Sequence, residues 1–288
     1  MPRRLKKVTN LTLAINVFLF FIKAAIGIIS NSIAIISEAV NSLTDIISSI
    51  AIKISVNVSG QNPDKNHQFG HNAAQPIGAF IVAVFAFVVG IKIFEESIKR
   101  IVNPIEINSS AIVYIVLILT MITKIFLSRY QRNVGNIFES PAIRAAAIDS
   151  MNDVLAAGIA LAGIIAADSG LPYVDGIAGL LIGMFILKTG YEVARENIDF
   201  LMGRAADEKT ILEAINRAIH IEGVEGFNDV RSHYVGDKIH IEFHIEVDKN
   251  LSTRKSHDIG KDVQTSIERM DKVQKVFIHI DPVTPDEK

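Results

Sequence analysis

The chain contains no cysteine and no tryptophan. Without thiols it can form neither a disulfide nor a thiolate metal site, so any metal it binds must be held by oxygen and imidazole. It also lacks an excess of either charge sign, with 29 Lys and Arg against 31 Asp and Glu. A formal net charge of −2 leaves no basic footprint for a nucleic-acid partner. No nucleophile–base pair or phosphate-cradling loop stands out, so an enzyme is not expected. Charge is scarce in residues 1–200 and dense from 204 to 288, in Asp, Glu, Lys, Arg and His.

What fills that charge-poor region is hydrocarbon. Mean hydropathy is +0.34, with 49% hydrophobic residues, a balance that soluble domains rarely show. Six windows, near 9–30, 32–56, 74–99, 109–128, 142–167 and 173–200, reach the roughly 20 residues that cross a bilayer core. The basic start "MPRRLKK" resembles a leader. The apolar run behind it is too long and has no clear small-residue cleavage site, so it reads as a first transmembrane helix. Connections near 31, 101–108 and 168–172 are short, with breakers at Pro104, Gly170 and Pro172. Arg3, Arg4, Lys6, Lys7, Lys65, Arg129, Arg132 and Arg144 mark one side as cytoplasmic, against Lys99 and Arg100. Both termini are then expected in the cytoplasm.

Polar residues interrupt two of these runs. "SEAVNSLTD" places Asn41 and Asp45 at i and i+4, and "DSMND" does the same for Asp149 and Asp153. Each pair shares a helix face. A carboxylate at mid-membrane costs about 2.5–3.5 kcal/mol. Such residues can cap or cross-link helices, as Asn16 and Ser42 could. Three acids on matching faces point instead to an oxygen-rich cation site between the second and fifth helices. Glu38, one turn before Asn41, is either an outer partner or a packing acid.

Two further clusters lie outside the apolar windows. "PDKNHQFGH" spaces Asp64, His67 and His71 as divalent-metal ligands, and equally as ordinary loop residues. In the tail, His240, Glu242 and His244 alternate along one strand, and His279 and Asp281 along another, with His257 on the helix between. A solvated sheet face explains that alternation as well as a metal site does. The tail pattern is helix over "DEKTILEAINRAIHI", two strands joined at Gly236–Asp237, a second helix, and a last strand ending at Pro282. The fold class expected is an α-helical membrane protein of six transmembrane helices, residues 1–204, with a C-terminal cytoplasmic α+β domain of αββαβ order, residues 205–288.

"SEAVNSLTDIISS", "HQFGH" and "VFIHIDP" together resemble the cation diffusion facilitators, over nearly the whole chain. That resemblance implies a homodimer that exports divalent transition metals, with a metallochaperone-like tail. It implies a transport site of Asn41, Asp45, Asp149 and Asp153, a loop site of Asp64, His67 and His71, and a tail site of His244, His257, His279 and Asp281. Zinc or another divalent ion would occupy the latter two. Three departures stand out. The transport quartet has no His, as in the manganese-type branch, and an all-oxygen set suits a harder ion such as Mn²⁺. Asn228 replaces a tail His. Ala73 and Gly203, in "FGHNAAQ" and "LMGR", replace a Lys–Asp pair near the dimer axis.

The expected function is Mn²⁺ efflux across the plasma (inner) membrane by alternating access. Proton antiport is expected with it, because three acids left without metal in a dry site repel one another until protons relieve them. The alternatives are a Zn²⁺, Fe²⁺ or Co²⁺ exporter, or a membrane-anchored metal sensor without transport. Expected partners are divalent metal ions, protons, membrane lipids and a second copy of the chain.

Overall fold

The computed structural model describes residues 3–30, 33–103, 111–168 and 173–284. It divides into two compact units, Met1–Ile198 and Asp199–Lys288. Among the described residues the first unit is built from long helices: α1 (Arg3–Ser30), α2 (Ile33–Ser59), α3 (Ala74–Val102), α4 (Ala111–Ile137), α5 (Pro141–Asp168) and α6 (Tyr173–Leu201). Each has 27 to 29 residues, or roughly 40 Å at 1.5 Å per residue, enough to cross a bilayer. By length and composition, Arg3–Ile26, Ala74–Val102 and Ala111–Ile137 qualify as membrane spans. The windows at 32–56, 142–167 and 173–200 fold as helices of the same length. The expected breakers Pro104, Gly170 and Pro172 lie outside the described residues.

Side chains such as Phe18, Phe21, Ile115 and Phe126 point outward, as a lipid-facing surface requires. Small residues let the helices approach. At Gly183 an added Cβ would stand 3.2 Å from the Phe94 backbone nitrogen, so α6 lies directly against α3. The α4–α5 turn is tight: Ser140 Oγ accepts from Ile143 N–H, and Pro141 opens α5 where a missing N–H costs nothing.

The bundle interior is layered. Leu5, Val8, Ile52, Val56, Ala79, Ala142 and Ile143 form an apolar cluster at one end. Val113, Val116, Leu117 and Ala157 form another towards the opposite end. Between them lies a buried polar layer that includes Asn16, Lys23, Ser42, Asp45, Ser49, Lys124 and Asn152.

In the second unit α7 (Glu208–Ile219) leads into β1 (Gly226–Val235) and β2 (Lys238–Asp248), and α8 (Thr253–Glu268) connects to β3 (Val273–Val283). The sheet order is β1-β2-β3, antiparallel then parallel. Alternation buries Ile239, Ile241, Phe243, Ile245 and Val247 beneath Ala214, Ala218, Ile259, Val263 and Ile267 of the two helices. Gly236, at φ +67°, opens the two-residue hairpin turn, and Asp237 does not share its positive φ. That is the type II′ pattern, which matches strand twist. Asp207 caps α7 by accepting from Thr210 N–H at 3.0 Å, and the bond from the Thr210 hydroxyl, more than that from the N–H, holds its carboxyl below the usual carboxylate range.

Candidate metal sites

The polar layer sits at the centre of the bundle because its residues sit at the centres of their helices. Lys124 is thirteen residues from either end of α4, and Asp45 and Asp153 lie near the midpoints of α2 and α5. At 1.5 Å per residue this is about 20 Å from each helix end. Asp45 of α2 and Asp153 of α5 are brought to one point by the Lys124 ammonium. It donates to Asp45 Oδ2 at 2.9 Å and to Asp153 Oδ2 in a shorter contact. Lys124 is 1% exposed. Asp149 lies on the same reach of α5 and is close enough to act on the charges of both Lys124 and Asp153. The backbone of Asn41 is in α2, while the side chains of Asn41 and Glu38 lie outside the described residues.

Hydrogen bonds between helices stiffen this layer. Asn16 Nδ2 donates to Ser49 Oγ at 2.7 Å and to the Asp45 carbonyl at 3.3 Å, tying α1 to α2. Lys23 Nζ donates to Ser42 Oγ at 3.2 Å. Ser128 Oγ donates to the Ala147 carbonyl at 2.7 Å, tying α4 to α5, and Gln131 reaches Thr12 Oγ1 at 2.9 Å. Neither lysine belongs to an i,i+4 pair of acids and amides like Asn41/Asp45 or Asp149/Asp153. A signal existed, since an ionisable residue within an apolar window marks a functional position by default.

The α2–α3 loop brings Asp64, His67 and His71 together. Asp64 Oδ1 accepts from the backbone N–H groups of His67 and Asn66 at 2.7 and 2.8 Å, which closes the turn, and the His67 bond above all holds the carboxyl below its usual range. The turn brings His67 Nδ1 to 3.4 Å and His71 Nε2 to 3.3 Å from the two Asp64 oxygens. Ligands 2.1 Å from a tetrahedral ion stand about 3.4 Å apart, so these three side chains are spaced to share one divalent ion.

In the tail the parallel register sets His244 beside His279 and Glu246 beside Asp281. His279 Nε2 lies 3.2 Å from Asp281 Oδ1, and His244 Nδ1 lies 3.5 Å from Oδ2. This is again a spacing that one ion can bridge. A β-bulge between Phe227 and Asp229 turns Asn228 toward the cluster, where its amide donates to Asp281 Oδ2 at 2.9 Å. That bond, more than the nearby histidines, holds the Asp281 carboxyl below its ordinary range. Asn228 therefore positions a candidate ligand, a role its substitution for His did not announce.

The structure does not bring His257 to this cluster. α8 covers the sheet through Ile259, Val263 and Ile267, on the face opposite His244 and His279, and the His257 side chain is 74% exposed beside Asp258. His240 and Glu242 share the sheet face of His244 and His279. Glu242 lies 3.5 Å from His244, whereas His240 is buried between the rings of His233 and Phe277. Burial pushes the His240 imidazole down. Among the described residues, Asp64–His67–His71 and His244–His279–Asp281 are the groups of three acids and imidazoles that converge within 4.8 Å. Asp45, Asp149 and Asp153 do not converge so closely, and an ammonium stands between two of them.

Gly203 adopts φ +81°. Its N–H reaches the Phe200 carbonyl at 3.2 Å and Arg204 N–H reaches Asp199 at 2.9 Å, closing α6 with a Schellman motif. Glycine there serves the backbone, and Ala73 is the uncharged N-cap of α3.

Residues 10–202 match the family described as cation efflux transmembrane domain, and residues 205–283 match the cation efflux protein cytoplasmic domain. An uncharacterized transporter of Methanocaldococcus jannaschii is 32% identical over 98% of this chain and 99% of its own length. The manganese efflux system protein MneP of Bacillus subtilis is 28% identical over 96% of each chain. The cation-efflux pump FieF of Citrobacter koseri is 28% identical over 88% of this chain and 84% of its own. With a mid-bundle acidic layer, a small mixed-sheet tail and these matches across both units, the chain belongs to the cation diffusion facilitator family of divalent metal efflux transporters.

Proposed function

We propose that the protein exports Mn²⁺ by alternating access around Asn41, Asp45, Asp149 and Asp153, in exchange for protons. The observation that carries this reading is the donor set. The acids stand near the middle of α2 and α5, and all eight histidines lie outside α1–α6. Oxygen-only coordination favours a harder ion over one that prefers imidazole, although intrinsic affinity rises from Mn²⁺ toward Zn²⁺. The family relative MneP, by its name, belongs to a manganese efflux system. In this reading all six long helices cross the membrane, residues 1–204 form the transport domain, and 205–288 form the cytoplasmic regulatory domain. Both termini face the cytoplasm from the plasma membrane.

The loop and tail clusters differ in chemistry from the transport set, because each combines two imidazoles with one carboxylate. They suit Zn²⁺ or another nitrogen-preferring divalent ion. We assign them to regulation, with the tail ion tightening a homodimer and biasing one transport state. His257 enters this assignment only through a second copy of the chain or a rearranged tail. The test is flux into proteoliposomes with equal free concentrations of competing ions. Mn²⁺ uptake that resists Zn²⁺, Fe²⁺ and Co²⁺ is the expected result. Uptake of Zn²⁺ in preference to Mn²⁺ would transfer the chain to the zinc-exporting reading.

A further inference from the structure

The proposed ion site already holds a cation. Lys124 is 1% exposed, and its stem, about 6 Å long, cannot carry the ammonium the roughly 20 Å to either helix end. Its ammonium lies 2.9 Å from Asp45 and closer still to Asp153. These acids come from the two helices that the transport reading assigns to the ion. A metal bridging α2 and α5 needs the same carboxylate oxygens. An ammonium in contact with both cannot remain there beside a dication, because the two charges repel at ligand distance.

The charges favour exchange over simple addition. Fully ionised, Asp45, Asp149 and Asp153 would carry −3 in total, and the Lys124 ammonium beside two of them would offset one of these. Lys23 of α1, 4% exposed, places a second positive charge whose influence reaches Asp153. The site is therefore not left as three uncompensated acids when no metal is present. A site of bare acids would bind a divalent ion tightly and release it slowly, which is poor design for a carrier. A resident ammonium weakens binding and supplies part of the counter-charge at release, alongside the protons of the proposed exchange.

We propose that Lys124 is an internal counter-cation of the transport site, displaced from Asp45 and Asp153 by the incoming divalent ion and returning to them as the ion leaves. This rests on the transport reading above and deepens it. Entry is then open only to ions that outcompete a bound ammonium for two carboxylates, which favours divalent over monovalent cations. Lys124 acts through Asp45 and Asp153 as a positioning residue, not as a metal ligand.

The test uses the full-length protein with Asp64→Ala and Asp281→Ala, so that the loop and tail clusters do not contribute. Mn²⁺ binding is measured by calorimetry and Mn²⁺ flux in proteoliposomes. Lys124→Met should bind Mn²⁺ roughly ten-fold tighter or more, with KM and kcat both falling, while Lys124→Arg keeps affinity near the parent value. A merely structural lysine would lower kcat without tightening binding. If Lys124→Met does not fold, Lys124→Gln, which keeps the length and a donor, carries the same comparison. Asp45→Asn separates the two ideas. Binding lost in Asp45→Asn but unchanged or weakened in Lys124→Met (or Lys124→Gln) overturns the counter-cation alone. Binding unchanged in Asp45→Asn overturns the transport site on which it rests.

Discussion

The Lys124 triad makes a charge-balance prediction that holds whether or not the protein moves metal. Asp45→Asn and Asp153→Asn preserve shape while removing charge. Either single change leaves the buried ammonium one hydrogen-bonded carboxylate. The double change leaves only Asp149 to offset it, and Asp149 makes no hydrogen bond to Lys124 among the described contacts. Removing the partners of a buried charge costs about 3–5 kcal/mol, whereas deleting the whole group is near neutral. With Asp149 still in reach, about 3 kcal/mol is expected for the double variant. At roughly 2–4 °C per kcal/mol in a domain of this size, that is a fall of about 6–12 °C. Adding Lys124→Met to the double variant should recover most of the loss, since no stranded ammonium remains. The assay is thermal unfolding in detergent with a chelator present. A triple variant no more stable than the double would mean that the lost carboxylates were not balancing the Lys124 ammonium.

Other predictions concern the second unit. Gly203→Ala forces a Cβ into φ +81°, so hydrogen exchange at the Gly203 and Arg204 amides should open about 1 kcal/mol more easily; unchanged protection would contradict the Schellman assignment. The His240 imidazole is held below its ordinary value of 6.5 by burial, so the unfolded chain takes up a proton first as pH falls. Its contribution to stability is therefore full above about pH 6.5 and declines below it. His240→Gln should flatten that acid-side decline in tail stability, measured by hydrogen exchange at pH 7.5 and 5.5. Asp281→Asn removes a charge from the tail cluster, and equilibrium Zn²⁺ binding there should weaken at least about ten-fold. Asn228→Ala should weaken it less, because it loosens the carboxylate without removing it.

Most of the fold is legible in the sequence because its signals are local. The six apolar windows correspond to α1–α6, and alternation with the Gly236–Asp237 turn corresponds to β1 and β2. The loop cluster is equally local, since Asp64, His67 and His71 are joined by one turn. Lys124 was hidden for a different reason. One lysine barely moves a hydropathy average, and its partners are 79 and 29 residues away. His257 was grouped with the tail histidines by composition, yet the side of the sheet that α8 covers is decided by the packing of Ile259, Val263 and Ile267. Asn228 looked like a lost ligand, and only the bulge shows it bonded to Asp281.

The central claim is that the acids in the middle of α2 and α5 carry the exported ion. Mn²⁺ uptake into proteoliposomes, compared between the native protein and Asp149→Ala, tests it most directly, because Asp149 is the acid not engaged by the Lys124 ammonium. Asp149→Ala is expected to reduce uptake by about ten-fold or more while the protein stays folded. Uptake at the native rate in Asp149→Ala would contradict it.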